Sequence, residues 1–325
     1  MRRVRYYEYG GPEVLTVEET ELPEPGPGQV RLRAVAIGAN FVDTKIRGNA
    51  GGIFYRPLPG SLTGDVVGTV DAVGPGVDPV RLGEGVRVAA LVDPDAFADF
   101  ALAEAAWLVP VPAGLPAGPA SLLPTAGPTA LRVLRTGQPA AGETVLIHTG
   151  GGTIGGLAIQ LARLLGAGTV IATAGTEEKR KHARDLGADV VVDYTADDWP
   201  DRVRSAAPGG VDVALDAVGG ATLTRSIDLL APMGRAVTYG AAGGELADLP
   251  VRSLFGQRTV SAFSLLAWRG ARPEQARAEM AEVAGYFADG RLRAHVRATL
   301  PLTEAAKAHE LLEDRTSVGR VLLAP

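Results

Sequence analysis

The chain has 325 residues, a formal net charge of −5 and no cysteine. That length suggests about two domains, and the mild acidity gives no bulk basic field for nucleic acid or anionic lipid. The missing thiols exclude disulfides, thiolate nucleophiles and Cys-ligated zinc or iron–sulfur sites. No apolar run approaches the ~20 residues that span a bilayer, and the basic start Met1–Arg5 runs into Tyr6-Tyr7-Glu8 rather than an apolar signal core. A soluble, cytoplasmic protein without membrane or nucleic-acid partners is expected.

Residues 1–122 read as short strands between Gly/Pro turns. Val30–Ile37, Val66–Val73 and Val86–Val92 are the clearest, separated by PEPGPG, GPG and GEG. From 123 to 264 strands alternate with helices. Strands are expected at Thr144–His148, Thr169–Thr173, Val190–Val192, Val211–Asp216 and Arg235–Tyr239. Helices are expected at Ile154–Leu165, Glu177–Leu186 and Leu223–Leu230. Apolar strands alternating with helices imply parallel βαβ units buried on both faces. Residues 265–325 add a helix at Pro273–Asp289, a helix at Thr303–Leu312 with Thr303 as its N-cap, and a strand at Val318–Leu323. The fold class is α/β, with a doubly wound unit inserted between two parts of a β-rich domain.

The strand Thr144–His148 leads into Thr149-Gly150-Gly151-Gly152-Thr153-Ile154-Gly155, then a helix. Gly150, Gly152 and Gly155 match G-x-G-x-x-G in the strand–turn–helix context that gives the motif meaning. Gly150 is expected to make the tight turn, Gly152 to admit a pyrophosphate, and Gly155 to let helix and strand pack closely. The first amides of the helix, from Thr153 and Ile154, would face the phosphates. The second strand ends in Gly175-Thr176 rather than in the Asp or Glu that holds a ribose diol. Lys179, Arg180, Lys181 and Arg184 follow. A hydroxyl and cations in place of a carboxylate suit a 2′-phosphate, so NADPH is the expected cofactor; a plain solvated helix face is the alternative.

At this point the chain resembles the zinc-independent branch of the medium-chain dehydrogenase/reductase superfamily, near the quinone oxidoreductases and enoyl reductases. The resemblance rests on Gly38–Thr44 (GANFVDT), Gly64–Gly68, Val73–Val77, Pro128-Thr129-Ala130, the glycine loop, Lys179, Gly187–Asp189, Asp193-Tyr194, Asp216–Gly219 and Gly319–Leu323. It implies a GroES-like catalytic domain formed by both chain ends, a Rossmann domain between them, and a homodimer. It also implies cofactor contacts at Thr129, Gly175, Thr176, Lys179, Tyr194, Val218, Tyr239, Gly240, Ala241 and Arg320. Asn40 stands where zinc-dependent members carry a Cys. Three departures are visible: Thr153 replaces a loop glycine, Gly83–Val86 (GEGV) replaces G-D-R-V, and Gly48–Gly60 is long and glycine-rich.

Hydride delivered to an isolated carbonyl builds an alkoxide that needs strong stabilisation. A quinone or conjugated enone spreads that charge, so hydrogen-bond donors suffice and no metal is expected. Candidate catalytic residues are Asn40, Asp43 and Tyr55. Asn40 and Asp43 could equally be loop scaffolding, and Tyr55 and Lys45 solvated loop residues. His148 is expected to be structural, and His182 and His309 to lie on helix surfaces. The expected substrate is a quinone or α,β-unsaturated carbonyl. The alternatives are an enoyl-thioester reductase and an NADPH-binding sensor with little turnover.

Overall fold

The computed structural model describes residues 1–49, 55–314, 316 and 318–325. Two compact units emerge: Met1–Thr125 with Met280–Pro325, and Ala126–Glu279. The boundaries expected at 122/123 and 264/265 therefore fall at 125/126 and 279/280, the second inside a long helix.

The first unit opens with a two-stranded ribbon, β1 (Arg2–Arg5) and β2 (Thr16–Glu19). It continues through β3 (Gln29–Gly38), α1 (Phe41–Arg47), β4 (Gly64–Val73), α2 (Pro79–Leu82), β5 (Arg87–Val92), β6 (Phe100–Glu104), β7 (Val109–Pro110) and α3 (Ala117–Ala120). Strands β3 and β4 are the long alternating segments seen in the sequence. They pair antiparallel from Val30↔Val73 to Gly38↔Asp65, with two register shifts.

The second unit contains α4 (Ala126–Gly137), β8 (Thr144–Ile147), α5 (Thr153–Leu164), β9 (Thr169–Thr173), α6 (Glu177–Asp185), β10 (Val190–Val192), α7 (Trp199–Ala206), β11 (Val211–Asp216), α8 (Gly220–Asp228), β12 (Leu230–Thr238), β13 (Thr259–Ala262), α9 (Leu265–Ala271) and the start of α10 (Pro273–Ala288). Its six strands are parallel in the order β10-β9-β8-β11-β12-β13. Numbered from β8, this is the 3-2-1-4-5-6 order of dinucleotide-binding sheets, whose ligands sit where the order reverses, between the first and fourth strands. The helix expected to run to Leu230 stops at Asp228, and Leu230 opens β12 instead. The sheet core includes Leu146, Ile171, Ala214 and Ala236, closed by Trp199, Val203 and Ile227.

After α10 the chain returns to the first unit as β14 (Val296–Pro301), α11 (Ala305–Glu313) and β15 (Arg320–Ala324). Thr303 does not cap α11: it lies in a 3₁₀ turn, Leu302–Glu304, started at Pro301, and Glu304 takes the cap position. Strand β15 inserts between β14 and β3, completing a seven-stranded sheet from segments near 30 and 320. Leu32, Ile37, Val66, Phe97, Val321 and Leu323 form its core. Among the described residues no helix is long and apolar enough to cross a membrane.

Candidate functional site

The glycine loop is built by close approaches. Thr149, not Gly150, takes the left-handed conformation, at φ 56°. Gly150 is needed for another reason: a Cβ there would fall 2.8 Å from that of Ala172 on β9. At Gly155 a Cβ would strike the Thr149 carbonyl. Gly152 is the N-cap of α5 and has no side chain to serve its amides. A Cβ there would meet only Thr149 within 4 Å, its carbonyl at 3.2 Å, so one side of this residue is open. The first helical bond runs from Gly156 N–H to the Gly152 carbonyl. The amides of Thr153, Ile154 and Gly155 therefore point out of the helix N-terminus, where an anion is stabilised.

The end of β9 meets α6 beside this loop. Thr176 caps α6, its Oγ1 accepting from Lys179 N at 3.3 Å. A Cβ on Gly175 would touch the Tyr194 ring at 3.2 Å. Lys179 lies against the loop itself, since a Cβ on Gly151 would fall 2.5 Å from the Lys179 Cβ. The cations that follow it are ion-paired on the surface of α6. Arg180 binds Asp193 (2.6 Å) and Glu177 (3.0 Å), Lys181 binds Asp185, and Arg184 binds Glu177. Those three form the solvated, ion-paired face weighed as the alternative. Lys179 lies against the loop, Gly175 adjoins the Tyr194 ring, and Thr176 caps the helix that carries Lys179.

Across the switch point, Asp216 at the end of β11 accepts from the amides of Val218 (3.2 Å) and Gly219 (2.8 Å). Burial pushes its carboxyl pKa up while these bonds pull it down. Ala242 and Gly243 donate to the carbonyls of Ala217 and Val218, tying Gly240–Gly243 alongside. Tyr239 begins that segment, and its Oη is buried without a hydrogen-bond partner. Burial raises the pKa of this phenol, with Thr149 nearby only partly offsetting the shift. A buried hydroxyl left unpaired is costly unless a ligand completes it. Thr129 is buried on α4. His148 directly follows β8 and is fully buried, its ring nitrogens meeting Thr173 Oγ1 (3.0 Å) and Ser226 Oγ (2.7 Å). Desolvation lowers its pKa to about 4.

In the first unit Asn40 is the N-cap of α1, yet its side chain caps nothing. Its Oδ1 instead accepts from Arg320 Nη1 at 2.8 Å. Asp43 is fully buried, accepting from Thr63 N (2.8 Å) and Thr63 Oγ1 (2.7 Å); burial lifts its pKa to about 7 despite those bonds. This is scaffolding, joining α1 to the approach to β4. Tyr55 is exposed, its ring centroid 6.4 Å from that of Tyr9. The stretch Gly48–Gly60 that precedes and follows it lies partly outside the described residues. Lys45 stacks over Phe41.

Two expectations are corrected here. Arg320 was expected at the cofactor, but it is buried and bonded to Asp65, Ala39, Asn40 and Ser121, with no N–H left to offer a phosphate. His309 was expected on a helix surface, but it is wholly buried, its Nδ1 2.9 Å from Arg47 Nη1 and its ring edge-on to Phe97. Its polar neighbours in sequence concealed a partner 262 residues away. Burial and the Arg47 charge lower its pKa to about 3. His182 is half-buried.

Residues 26–113 match the family described as alcohol dehydrogenase GroES-like domain, and residues 153–284 match that described as zinc-binding dehydrogenase. The chain is 37% identical over 328 residues to 2-haloacrylate reductase of a Burkholderia species, covering 97% of this chain and 96% of that protein. It is 34% identical to the quinone oxidoreductase of Pseudomonas aeruginosa, covering 100% and 99%. The chain belongs to the medium-chain dehydrogenase/reductase superfamily. A mycobacterial member solved with NADPH matches it with a TM-score of 0.92 at 35% identity over the whole of both chains. The GroES-like match lies within the first unit, and the second match starts at the first residue of α5. Although the superfamily includes zinc enzymes, this member has no Cys, and among the described residues no three His, Asp or Glu gather as a metal site would require.

Proposed function

We propose that this reductase transfers hydride from NADPH to a quinone or an α,β-unsaturated carbonyl. The observation that carries the cofactor half is the α5 N-terminus. Three amides point outward over a glycine that leaves room, and the unpartnered Tyr239 hydroxyl lies across the switch point. Thr153, Ile154 and Gly155 would hold the pyrophosphate; Lys179, Thr176, Gly175 and Tyr194 would surround the adenosine 2′-phosphate. Val218, Gly240 and Ala241 follow the ends of β11 and β12, and with Thr129 they would complete the cradle. When bound, NADPH supplies the hydride; the chain orients it and excludes water.

The acceptor half rests on the donor set. Asn40 offers an amide, and neither thiolates nor a carboxylate–histidine cluster is present among the described residues to polarise an isolated carbonyl. The likeness to 2-haloacrylate reductase and to quinone oxidoreductases points to conjugated acceptors. The reading places the protein in the cytoplasm. It also gives the chain a second copy as partner: β13 is an unpaired sheet edge, and nearby Phe255, Val251 and Met233 are exposed apolar residues, as at an edge meant to be covered.

The test is NADPH oxidation with a panel of quinones, enones, haloacrylates and enoyl thioesters. Turnover of quinones or enones is expected. Turnover of enoyl thioesters alone would move the reading to acyl assembly. Tight NADPH binding without turnover of any acceptor would make the protein a sensor.

A further inference from the structure

A guanidinium has five N–H bonds to give, and in Arg320 all five are taken. Nε reaches Ser121 Oγ (3.4 Å), and Nη2 reaches the Asp65 carboxylate and the Ser121 carbonyl (3.5 Å). Nη1 donates to the Ala39 carbonyl (3.0 Å) and to Asn40 Oδ1 (2.8 Å). Asp65 is itself held by Thr125 Oγ1, and Ser121 Oγ by the Gly118 carbonyl. The backbone makes way for this group, since a Cβ on Gly38 would land on the guanidinium. Arg320 is therefore fixed on every side before it meets Asn40.

Because arginine carries donors and no acceptor, the Asn40 atom facing it must be the oxygen. The amide nitrogen then faces away. Asparagine at an N-cap normally turns its oxygen to the first-turn amides; here Arg320 takes that oxygen. Among the described residues no protein acceptor takes Asn40 Nδ2.

We propose that Arg320 is a positioning residue: it locks the Asn40 amide so that an Nδ2 hydrogen is presented to the acceptor's oxygen. This rests on the reaction read above. Hydride adds at the far end of the conjugated system, the displaced π pair moves to that oxygen, and a solvent proton completes the product. Asn40 would donate to the oxygen as charge gathers there, which makes its donor face, and so its orientation, matter for rate.

The experiment uses the full chain. It measures kcat and KM with the best acceptor of the panel, NADPH affinity, and melting temperature. Asn40→Asp keeps an oxygen for Arg320 but replaces the donor with an acceptor. Its melting temperature should equal or exceed that of the wild type while kcat falls about tenfold to a hundredfold, the scale for losing one donor to a developing oxyanion. Asn40→Ala should lose both kcat and melting temperature, because an Arg320 N–H is left unpaired. Arg320→Lys should lower kcat in the Asn40 background but leave it within about twofold in the Asn40→Ala background, since the two residues act as one unit. Gly38→Ala, which displaces the guanidinium, replaces Arg320→Lys in this cycle if the lysine variant does not fold.

A wild-type kcat in Asn40→Asp would overturn the proposal. So would equal kcat losses from Arg320→Lys in both backgrounds, or a loss that appears only in NADPH affinity. A wild type inert toward every acceptor would overturn the reaction instead. The order of melting temperatures, Asn40→Asp above Asn40→Ala, would still decide whether Arg320 holds the amide oxygen.

Discussion

The two units treat their polar groups in opposite ways. Around Arg320 in the first unit, five donors meet five acceptors inside the protein, and the buried Asp65 carboxylate is answered by Arg320 and Thr125. Around the glycine loop of the second, helix amides point outward and the Tyr239 hydroxyl is buried without a partner. Polar capacity that closes on itself holds a fold, and capacity left open awaits a ligand. The contrast separates residues of similar chemistry: Arg320 and Lys179 are both cations expected at the cofactor, and only Lys179 lies against the open loop.

The sharpest way to break this contrast is to close the open end. Asp at position 152 would be a favourable N-cap for α5, its carboxylate taking the amides that await phosphate. Gly152→Asp should therefore leave the melting temperature unchanged or slightly raised while weakening NADPH by roughly a hundredfold or more, through lost amides and charge repulsion. Calorimetric titration of the folded variant checks this; undiminished affinity would mean that the loop does not hold the pyrophosphate.

A smaller effect is expected one strand away. Lys179→Ala should weaken NADPH by about 1.5–3 kcal/mol, the worth of a charge-assisted bond, and leave NADH nearly unchanged. Parallel titrations with the two cofactors distinguish this from general damage to α6. Equal losses for both would return Lys179 to the solvated face shared by Arg180, Lys181 and Arg184.

The smallest effect concerns stability and pH. His148 and His309 are buried and neutral, with pKa values lowered to about 4 and about 3. Unfolding lets both take up protons below their ordinary range, so their contribution is lost as pH falls from about 6.5 toward those values. Asp43, raised to about 7, works in the other direction: its folded form keeps a proton that the unfolded chain releases, which favours folding as pH falls below 7. His148→Gln removes one proton uptake from the second unit. Between pH 7.5 and 5.5 it should lose less stability than the wild type by roughly 1 kcal/mol. Thermal melts at the two pH values read the difference, and an identical drop in both proteins would show that His148 is not the titrating group.

The sequence revealed what is local. Apolar strands alternating with helices gave the order of the second unit, and the strands Thr169–Thr173, Val190–Val192 and Val211–Asp216 have the same ends in the structure. The glycine loop could be found because strand, turn and helix follow one another directly. What escaped depends on distant partners. Nothing near Arg320 announces that Asp65 lies 255 residues away, and nothing near His309 announces Arg47. The positive φ at Thr149 also escaped, because three adjacent glycines offered themselves for that turn. Asn40 was legible as a candidate, but the direction of its amide follows only from its neighbour.

Strand β15 carries a consequence for synthesis. Residues 320–324 are made long after residues 29–38, yet they complete the sheet begun there. Until then the nascent first unit holds an Asp65 carboxylate without its guanidinium and a β3 edge without its neighbour. The second unit owes nothing to that strand, for all six of its own strands lie within residues 144–262. Translation thus delivers the cofactor-type sheet as a finished object while the β-rich unit waits for its closing strand, and the synthesis of β15, rather than local sequence, sets when the Asn40 amide acquires its orientation.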